Sequence, residues 1–484
     1  MHIRKKFFSI LLLITITAIS LFGDLFPKYS VAEENTIYDA NTTLTIWYTD
    51  ACLEEYLRNA AVVYEQKTGV RVVATYVSGL EYLEVIQKAT IDDEMGPDLF
   101  VIESQSLEKA FLSGLCSKVK DPDKVLNNAY FPQTSLDAVT YSDSKLGYPL
   151  LFEGSLFIYN RTFLEQMADS YNSSLSSGED GESETVEVMI NDEGEIVEPE
   201  PEPEPELIIA DDLIPKSIVG IIDLALEYGL PEGVESYFKW PVSDVMYDYW
   251  FAGAYLNVGG QTGDNRDEIN IYNEEALYCL ELFKDFKEFF SMDLDDYSSD
   301  DVLDEFIEGK TLFIVSDTDA IHKLESAKKE EEFPYEYGVA SIGMVNSNLQ
   351  SKGLSLTKLV AVNGYSENKD LAEDFATFVT TEYSDNLYSR TNKFPCSYQP
   401  TYQYSQVEDV VRTYENSVSL PKIVETSNFW VLTEMVYTKT WDGGNLNYLL
   451  QSLSTQIKKQ IYGVFQEETF IETPQIVENY HSDV

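Results

Sequence analysis

The feature that most limits the possible folds of this chain is a regular alternation of strand and helix patterns, which begins at Thr43. Apolar, β-branched runs predict strands, and stretches with one apolar face at helical spacing predict helices. In chain order, these alternating strands and helices are predicted at residues 44–47, 53–64, 70–77, 82–90 and 98–102. Such alternation is typical of a mainly parallel sheet covered by helices, so the sequence predicts an α/β fold.

The second half of the chain shows the same pattern. Helices are predicted at 274–290 and 369–380, and strands at 311–315 and 359–363. A chain of 484 residues that is 44% hydrophobic can build at least two cored domains, because single cores stop growing at roughly 250 to 300 residues.

Ligand sites of helix-covered parallel sheets lie at the carboxyl ends of the strands. Residues at the ends of the first and third predicted strands are therefore candidates from position alone. They are Trp47, Tyr48, Thr49, Asp50, Glu103 and Ser104.

An acidic segment at residues 165–212 interrupts the alternation. No Lys or Arg occurs between Arg161 and Lys216, and the segment ends in alternating Glu and Pro at 198–206. Charge repulsion and proline keep such a sequence extended and unable to bury a core, which predicts a disordered insertion. Cation capture is a weaker alternative, because flexible carboxylates lack a fixed coordination geometry.

The amino terminus has the pattern of an export signal. Cationic residues precede an apolar run at 7–22, and small residues at 30 and 32 suit a cleavage site, so residues 1–32 are predicted to be a signal peptide. An uncleaved anchor is the alternative. The first cysteine, Cys52, is too far along for lipid attachment. We expect a secreted or periplasmic protein associated with the cell envelope.

Residues for common catalytic chemistry are scarce. The chain has three histidines, His2, His322 and His481, and lacks the HExxH, GxGxxG and GxxxxGK[ST] motifs. Its four cysteines show no metal-site spacing, and the aspartates at 293–301 lack the glycine of a calcium loop. We expect no enzyme activity, metal or cofactor, although a carboxylate pair for glycan hydrolysis remains an alternative.

Charge and aromatic content indicate the kind of ligand. A net charge of -51 argues against nucleic acid and anionic membranes as partners. Aromatic residues make up 13% of the chain, and aromatic rings can stack on the apolar faces of sugars. The aromatic residues that lie near predicted strand ends or beside polar residues are Trp47, Tyr247, Trp250 and Trp430.

Short segments in a specific order resemble the extracellular solute-binding family that includes maltose-binding proteins. The segments are residues 44–47, 64–72, 96–100, 114–115, 147–150, 153–160, 259–260, 306–310 and 428–430. The resemblance implies a two-lobed periplasmic-binding-protein type II (Venus-flytrap) fold with hinge crossings. It also implies a small-molecule ligand, most simply a sugar, held between the lobes, and the permease subunits of an ABC transporter as partners. We expect a monomer.

The resemblance also implies domain boundaries. Lobe 1 would comprise residues 43–150 and 354–395, and lobe 2 residues 151–353 and 396–470, with a tail at 471–484. The acidic segment would be an insertion within lobe 2.

By the same resemblance, Glu153 stands where the family places a sugar-binding carboxylate, and Trp430 where it places a stacking ring. Tyr247 or Trp250 falls near another aromatic contact, and Asp50, Glu103 and Asp317 would accept hydrogen bonds from hydroxyl groups. These last residues are ligand-binding candidates by their positions.

The chain departs from the family's maltodextrin binders at two positions. Residues 102–106 lack their tryptophan and acid-base pair, and residues 316–318 replace a second tryptophan. We therefore expect a solute other than maltose. A glycan hydrolase and the binding subunit of a surface sensor are alternative functions.

Overall fold

The structure is a computed structural model. It describes residues 42–91, 96–178, 189–190, 196–197, 207–290, 292–293, 297–399 and 406–475. The predicted signal peptide and the Glu-Pro repeat lie outside these residues. Contacts group Thr43–Val484 into one unit.

The strands of the described chain vary from two to thirteen residues in length. They are β1 (Thr43–Tyr48), β2 (Arg71–Tyr76), β3 (Leu99–Glu103), β4 (Thr140–Tyr141), β5 (Ser144–Lys145), β6 (Tyr148–Asn160), β7 (Met189–Ile190), β8 (Ile196–Val197), β9 (Ser236–Lys239), β10 (Asn257–Val258), β11 (Ile269–Asn270), β12 (Thr311–Asp317), β13 (Tyr337–Ala340), β14 (Leu354–Val362), β15 (Phe394–Pro395) and β16 (Val418–Ser419).

Helices separate and cover many of these strands. The α-helices are α1 (Leu53–Thr68), α2 (Tyr82–Ile91), α3 (Leu107–Leu112), α4 (Gln133–Ala138), α5 (Arg161–Gly178), α6 (Val219–Glu227), α7 (Val245–Asp248), α8 (Glu274–Phe290), α9 (Ser299–Ile307), α10 (Asp319–Lys329), α11 (Lys369–Thr377), α12 (Leu387–Thr391), α13 (Val407–Glu415), α14 (Phe429–Trp441) and α15 (Leu446–Tyr462).

One sheet joins the main strands in the order β2-β1-β3-β14-β6-β12-β9. β1 is parallel to β2 and β3, and β9 is parallel to β12, as predicted. The prediction of a mainly parallel sheet is wrong at the centre, where β14 and β6 run antiparallel to each other, β14 runs antiparallel to β3, and β6 runs antiparallel to β12. The strand and helix periodicities specify each element but not the direction of strands that are paired over long sequence distances.

Strand β6 belongs to both halves of the sheet. Its first part, up to Glu153, pairs with β14 and β15, and its second part, from Ser155, pairs with β12 and β13. Gly154 lies between the two parts, opposite Ser355 of β14. The strand therefore crosses from one half of the fold into the other at Gly154.

The first helix shows how the sequence specifies local structure. The residues predicted to share one face of α1, among them Tyr56 and Tyr64, are buried. Gly69 ends the helix at φ 79°, and its N–H donates to the carbonyl of Glu65. This left-handed conformation favours glycine, which explains why the helix ends there.

A buried core that contains Phe152 and Ile158 spans the crossing of β6, and two further cores lie on either side of it. The smaller one contains Ile86, Phe100 and Leu359. The larger one contains the apolar face of α8, including Cys279 and Phe283, as predicted from helical spacing. Burying such a side chain stabilises the fold by roughly 1.5 to 3 kcal/mol, so each half has its own source of stability.

Order extends further into the acidic segment than the sequence predicted. α5 continues to Gly178, and its Leu164, Met167 and Ala168 are buried at helical spacing. The disordered insertion was predicted to begin at residue 165, and that boundary is wrong because these apolar residues join the larger core. Residues 179–188, 191–195 and 198–206 lie outside the described chain.

The remaining sequence predictions concern isolated side chains. All four cysteines are free thiols. His322 is exposed on α10, as expected for a solvated helix residue.

Across the described ranges, no helix combines the length and apolar character needed to cross a bilayer.

Candidate functional site

The carboxyl ends of β1 and β3 meet at one edge of the sheet because both strands run parallel in the same layer. They place Asp50 and Glu103 beside a cavity of about 340 Å³. Lys358 of β14 lines the same cavity and lies opposite Glu103 in the antiparallel ladder. Two predicted residues thus meet a lysine that the sequence analysis did not single out.

Lys358 connects carboxylates from two other strands. Its Nζ lies 2.6 Å from Oδ2 of Asp50 and 3.6 Å from Oε1 of Glu153. Burial acts to lower the pKa of Lys358, but Glu153, Asp50 and Glu103 outweigh it, so this pKa is raised. Burial likewise acts against ionisation of Asp50, yet hydrogen bonds from Lys358 and Cys52 lower its pKa to about 2. Both groups are therefore charged at neutral pH.

A second lysine extends the series of charges. Nζ of Lys393 lies 3.3 Å from Oε1 of Glu153 and 2.8 Å from Oδ1 of Asp319. Burial works to lower the pKa of Lys393, but Asp319 and Glu153 raise it overall. Charges alternate along Asp50, Lys358, Glu153, Lys393 and Asp319, a set that we name the charge chain. Glu153 at its centre directly precedes the point where β6 crosses between the halves.

Two further predicted residues meet at the end of β12. The Tyr247 hydroxyl donates to Oδ2 of Asp317 at 3.1 Å, and the Asp319 N–H donates to its Oδ1 at 2.9 Å. Burial raises the pKa of Asp317, and the neighbouring Asp319 adds to this effect. Because Asp319 belongs to the charge chain and its N–H bonds to Asp317, the pair of Tyr247 and Asp317 lies next to the charge chain.

Trp430 lines a neighbouring cavity of about 330 Å³ together with Gln105. Its ring is half-buried, and Nε1 donates to Oε2 of Glu434 at 3.3 Å. Ser106 and Lys109 line both this cavity and the one beside Asp50, so the two cavities adjoin. A solute could therefore contact the carboxylates and the indole ring together.

The other two predicted tryptophans have packing roles. Trp47 is half-buried against the smaller core. Trp250 lies in the larger core, and its Nε1 donates to Oγ of Ser155 at 2.8 Å. Neither ring lines the two adjoining cavities. Trp250 instead packs under the crossing part of β6.

Neither Lys358 nor Lys393 was predicted from the sequence to belong to the site. A signal for Lys358 was present, because a lysine directly before the apolar run of residues 359–362 in β14 needs a partner for its charge. Lys393 stands in a loop before β15, and nothing in its neighbourhood distinguishes it from a surface lysine.

A further cavity of about 470 Å³ lies where α4 faces residues 260–263, and it shares Leu420, Pro421 and Phe429 with the cavity beside Trp430. It contains none of the ligand-binding residues predicted from the sequence. Lys422 lines it, and its ammonium donates to the carbonyl oxygens of Asp137 and Thr262. Within the described residues, no group of three or more His, Cys, Asp or Glu side chains could hold a metal ion.

Comparisons with known proteins agree with this architecture. The model of the family described as bacterial extracellular solute-binding protein matches residues 59–399. No curated protein sequence matches the chain.

Solved structures resemble the fold over most of its length. A cyclo/maltodextrin-binding protein complexed with maltotetraose is 17% identical, with a TM-score of 0.65, covering 88% of this chain and 98% of its own. An extracellular solute-binding protein from Staphylococcus aureus in complex with maltose is 15% identical, with a TM-score of 0.66, covering 88% of this chain and 99% of its own. The predicted two-lobed α/β fold of the periplasmic-binding-protein type is thus confirmed.

Proposed function

The chain belongs to the bacterial extracellular solute-binding family, and from that premise we propose that it captures a carbohydrate between its lobes and delivers it to the permease of an ABC importer. In this proposal lobe 1 comprises residues 43–150 and 354–395, and lobe 2 residues 151–353 and 396–470. The protein acts outside the cell as a monomer, exported by the signal at residues 1–32.

One observation carries this proposal. The cavity beside Asp50 and Glu103 adjoins the cavity beside Trp430, so hydrogen-bond acceptors and an aromatic ring lie within reach of one solute. Carbohydrates present hydroxyl donors around their rim and apolar C–H faces above and below. A site that combines a small number of polar groups in fixed positions with an aromatic ring suits such a ligand.

Ligand capture follows from the arrangement of the charge chain around β6. Glu153 lies at the crossing between the lobes, whereas Asp50 and Asp319 follow strands on opposite sides of it. A solute that contacts groups from both lobes stabilises the closed state selectively. The permease then recognises the closed shape, and no chemical step is needed.

The ion pairs give the carboxylates their fixed positions. Lys358 holds Asp50, and Lys393 holds both Glu153 and Asp319. Acceptors that are already oriented lose little conformational entropy when they bind hydroxyl groups. We therefore assign the two lysines as positioning residues and the carboxylates as ligand acceptors.

The first test is a thermal-shift screen of the mature protein with mono- and oligosaccharides, amino acids and polyamines. A ligand at about 100 times its Kd adds roughly 2.7 kcal/mol of stability, which is readily detected. A shift with a carbohydrate, without hydrolysis products, supports the proposal. Shifts with other solutes alone would refute the carbohydrate assignment, and hydrolysis would favour a glycan-acting enzyme.

Trp430→Ala tests the position of the site. We expect its affinity for the sugar identified in the screen to fall roughly fivefold, because ring stacking contributes on the order of 1 kcal/mol. Tyr448→Ala is the matched control, since Tyr448 is an exposed aromatic residue on α15 that lines neither cavity. Equal affinities of wild type and Trp430→Ala would place the site elsewhere.

A further inference from the structure

We propose that the carbohydrate is an amino sugar with a free ammonium group, and that Glu103 accepts this ammonium. The inference rests on the proposed function and specifies the class of sugar. It follows from how the charged side chains around the adjoining cavities are already paired.

Each half-buried lysine of the charge chain is already paired with two carboxylates. Lys358 is shared between Asp50 at 2.6 Å and Glu153 at 3.6 Å. Lys393 is shared between Glu153 at 3.3 Å and Asp319 at 2.8 Å. A carboxylated or phosphorylated sugar would have to displace a protein carboxylate that is already partly desolvated, which is unfavourable.

The remaining cation at the cavities is also paired. Lys109 lines both of them, and its Nζ lies 2.5 Å from Oε1 of Glu84. Among the described residues that line these two cavities, Lys109 and Lys358 are the cationic ones. An anionic sugar thus meets no unpaired positive charge here.

Glu103 is the carboxylate with capacity to spare. It lines the cavity and is half-buried, and its Oε2 accepts a hydrogen bond of 2.7 Å from Nε2 of Gln105. Within the described chain no cation lies within ion-pair distance of it, although it faces Lys358 across the ladder and its charge helps to raise the pKa of that lysine. An acceptor of this kind at a cavity wall is suited to a charged donor.

Local charge strengthens this preference. Asp50, Glu84 and Glu103 line the cavity together with Lys109 and Lys358, so carboxylates outnumber ammonium groups. Hydrogen bonds between ammonium and carboxylate groups are about twice as strong as those between neutral groups. A neutral hydroxyl can bind Glu103, but an ammonium group at the same position gains the additional charge interaction.

The test compares matched sugars that differ at one substituent. Glucosamine, N-acetylglucosamine, glucose and glucuronic acid, and their β-1,4-linked disaccharides, are titrated calorimetrically at about pH 6.5, where the amine is protonated. We expect the amino form of the sugar that binds to have at least tenfold higher affinity than its N-acetylated and neutral forms. The carboxylated form should bind most weakly.

Two variants assign the effect to Glu103. Glu103→Gln keeps the size and hydrogen bonding of the side chain but removes its charge, and should reduce the amino-to-acetyl affinity ratio from tenfold or more to about one. Glu84→Gln is the matched control, because Glu84 lines the same cavity but is paired with Lys109. It should preserve most of the ratio.

The outcomes separate this inference from the function on which it rests. If neutral, acetylated or carboxylated sugars bind as tightly as amino sugars, or if Glu103→Gln keeps the full ratio, the inference is overturned while carbohydrate capture stands. If no carbohydrate of any charge binds, the proposed function fails and the inference fails with it.

Discussion

Lys422 is a buried lysine whose described hydrogen-bond partners are backbone carbonyl groups. Its ammonium donates to the carbonyl oxygen of Asp137 at 2.8 Å and to that of Thr262, without an ion pair to a described carboxylate. Burial lowers its pKa from 10.5 to about 8, although Asp264 and Asp137 act in the opposite direction. A charge at this position therefore opposes folding at neutral pH.

The pKa of Lys422 predicts how stability depends on pH. Below about pH 8 the folded and unfolded chains both hold the proton, so the cost of burying it is fully present. Between about pH 8 and 10.5 only the unfolded chain holds it, so this lysine's contribution to the free energy of unfolding becomes more favourable as pH rises. The wild type should gain on the order of 3 kcal/mol relative to Lys422→Met across this range.

Urea unfolding of both proteins at several pH values measures this difference. Lys352→Met is the matched control, because Lys352 lines the same cavity but is only half-buried. Its difference from the wild type should stay nearly constant. Parallel pH curves for wild type and Lys422→Met would contradict the prediction.

The contacts of the ligand-site residues were only partly predictable from the sequence. Asp50 and Glu103 were predicted to lie together because strand ends in parallel sheets share an edge, and both line one cavity. Lys393 was missed because its pairing with Glu153 depends on β15 meeting β6, a contact between residues distant in sequence. The burial of Trp250 in the larger core was not predicted, because the sequence does not indicate which side of a helical turn faces the core.

At the scale of elements, the ends of the acidic segment are held together. Nδ2 of Asn172 donates to the carbonyl of Ile208 at 2.8 Å, and the N–H of Ile208 donates to Oδ1 of Asn172 at 3.0 Å. The last turns of α5 therefore lie beside the chain that re-enters the larger core. The strands β7 and β8, within the segment, pair with each other.

This geometry predicts that residues 179–206 can be replaced by a short linker. Gly178 lies about 9 Å along the helix from Asn172, a distance that four extended residues can span. We expect a four-residue Gly-Ser linker to leave the Tm and the affinity for the sugar unchanged. As a control, the same replacement of residues 164–206 should lower the Tm strongly, because it removes Leu164, Met167 and Ala168 from the core.

The two deletions, of residues 179–206 and of residues 164–206, are compared by their Tm values. A large loss of Tm with the shorter deletion would mean that the acidic segment contributes to folding.

Individual helices and strands were largely predictable from the sequence because each depends on its own periodicity. The antiparallel course of β6 and β14 was not, because it depends on partners far away in the chain.

At the scale of the whole molecule, an ion pair joins the two halves away from the charge chain. Arg266, between β10 and β11, donates to both oxygens of Glu108 in α3, at 2.7 and 3.0 Å. Glu108 is fully buried and also accepts hydrogen bonds from Tyr141 and from the Val424 N–H. Removing Arg266 would leave a buried carboxylate without its cation.

We expect Arg266→Gln to lower the free energy of unfolding by roughly 3 kcal/mol. The reason is that the buried Glu108 carboxylate would lose the cation that compensates for its desolvation. The double variant with Glu108→Gln should recover part of that loss. Lys323→Gln, which breaks an exposed pair with Asp300, should cost less than about 1 kcal/mol. Equal losses for Arg266→Gln and Lys323→Gln in urea unfolding would contradict this expectation.

Strand β6 determines how the molecule unfolds. Because its two parts supply ladder hydrogen bonds to both halves of the sheet, neither half can lose that strand without exposing unpaired backbone groups in the other. The lobes are therefore not independent folding units, and the buried core that contains Phe152 and Ile158 also spans the crossing. Heat or denaturant should therefore unfold both lobes in one cooperative transition.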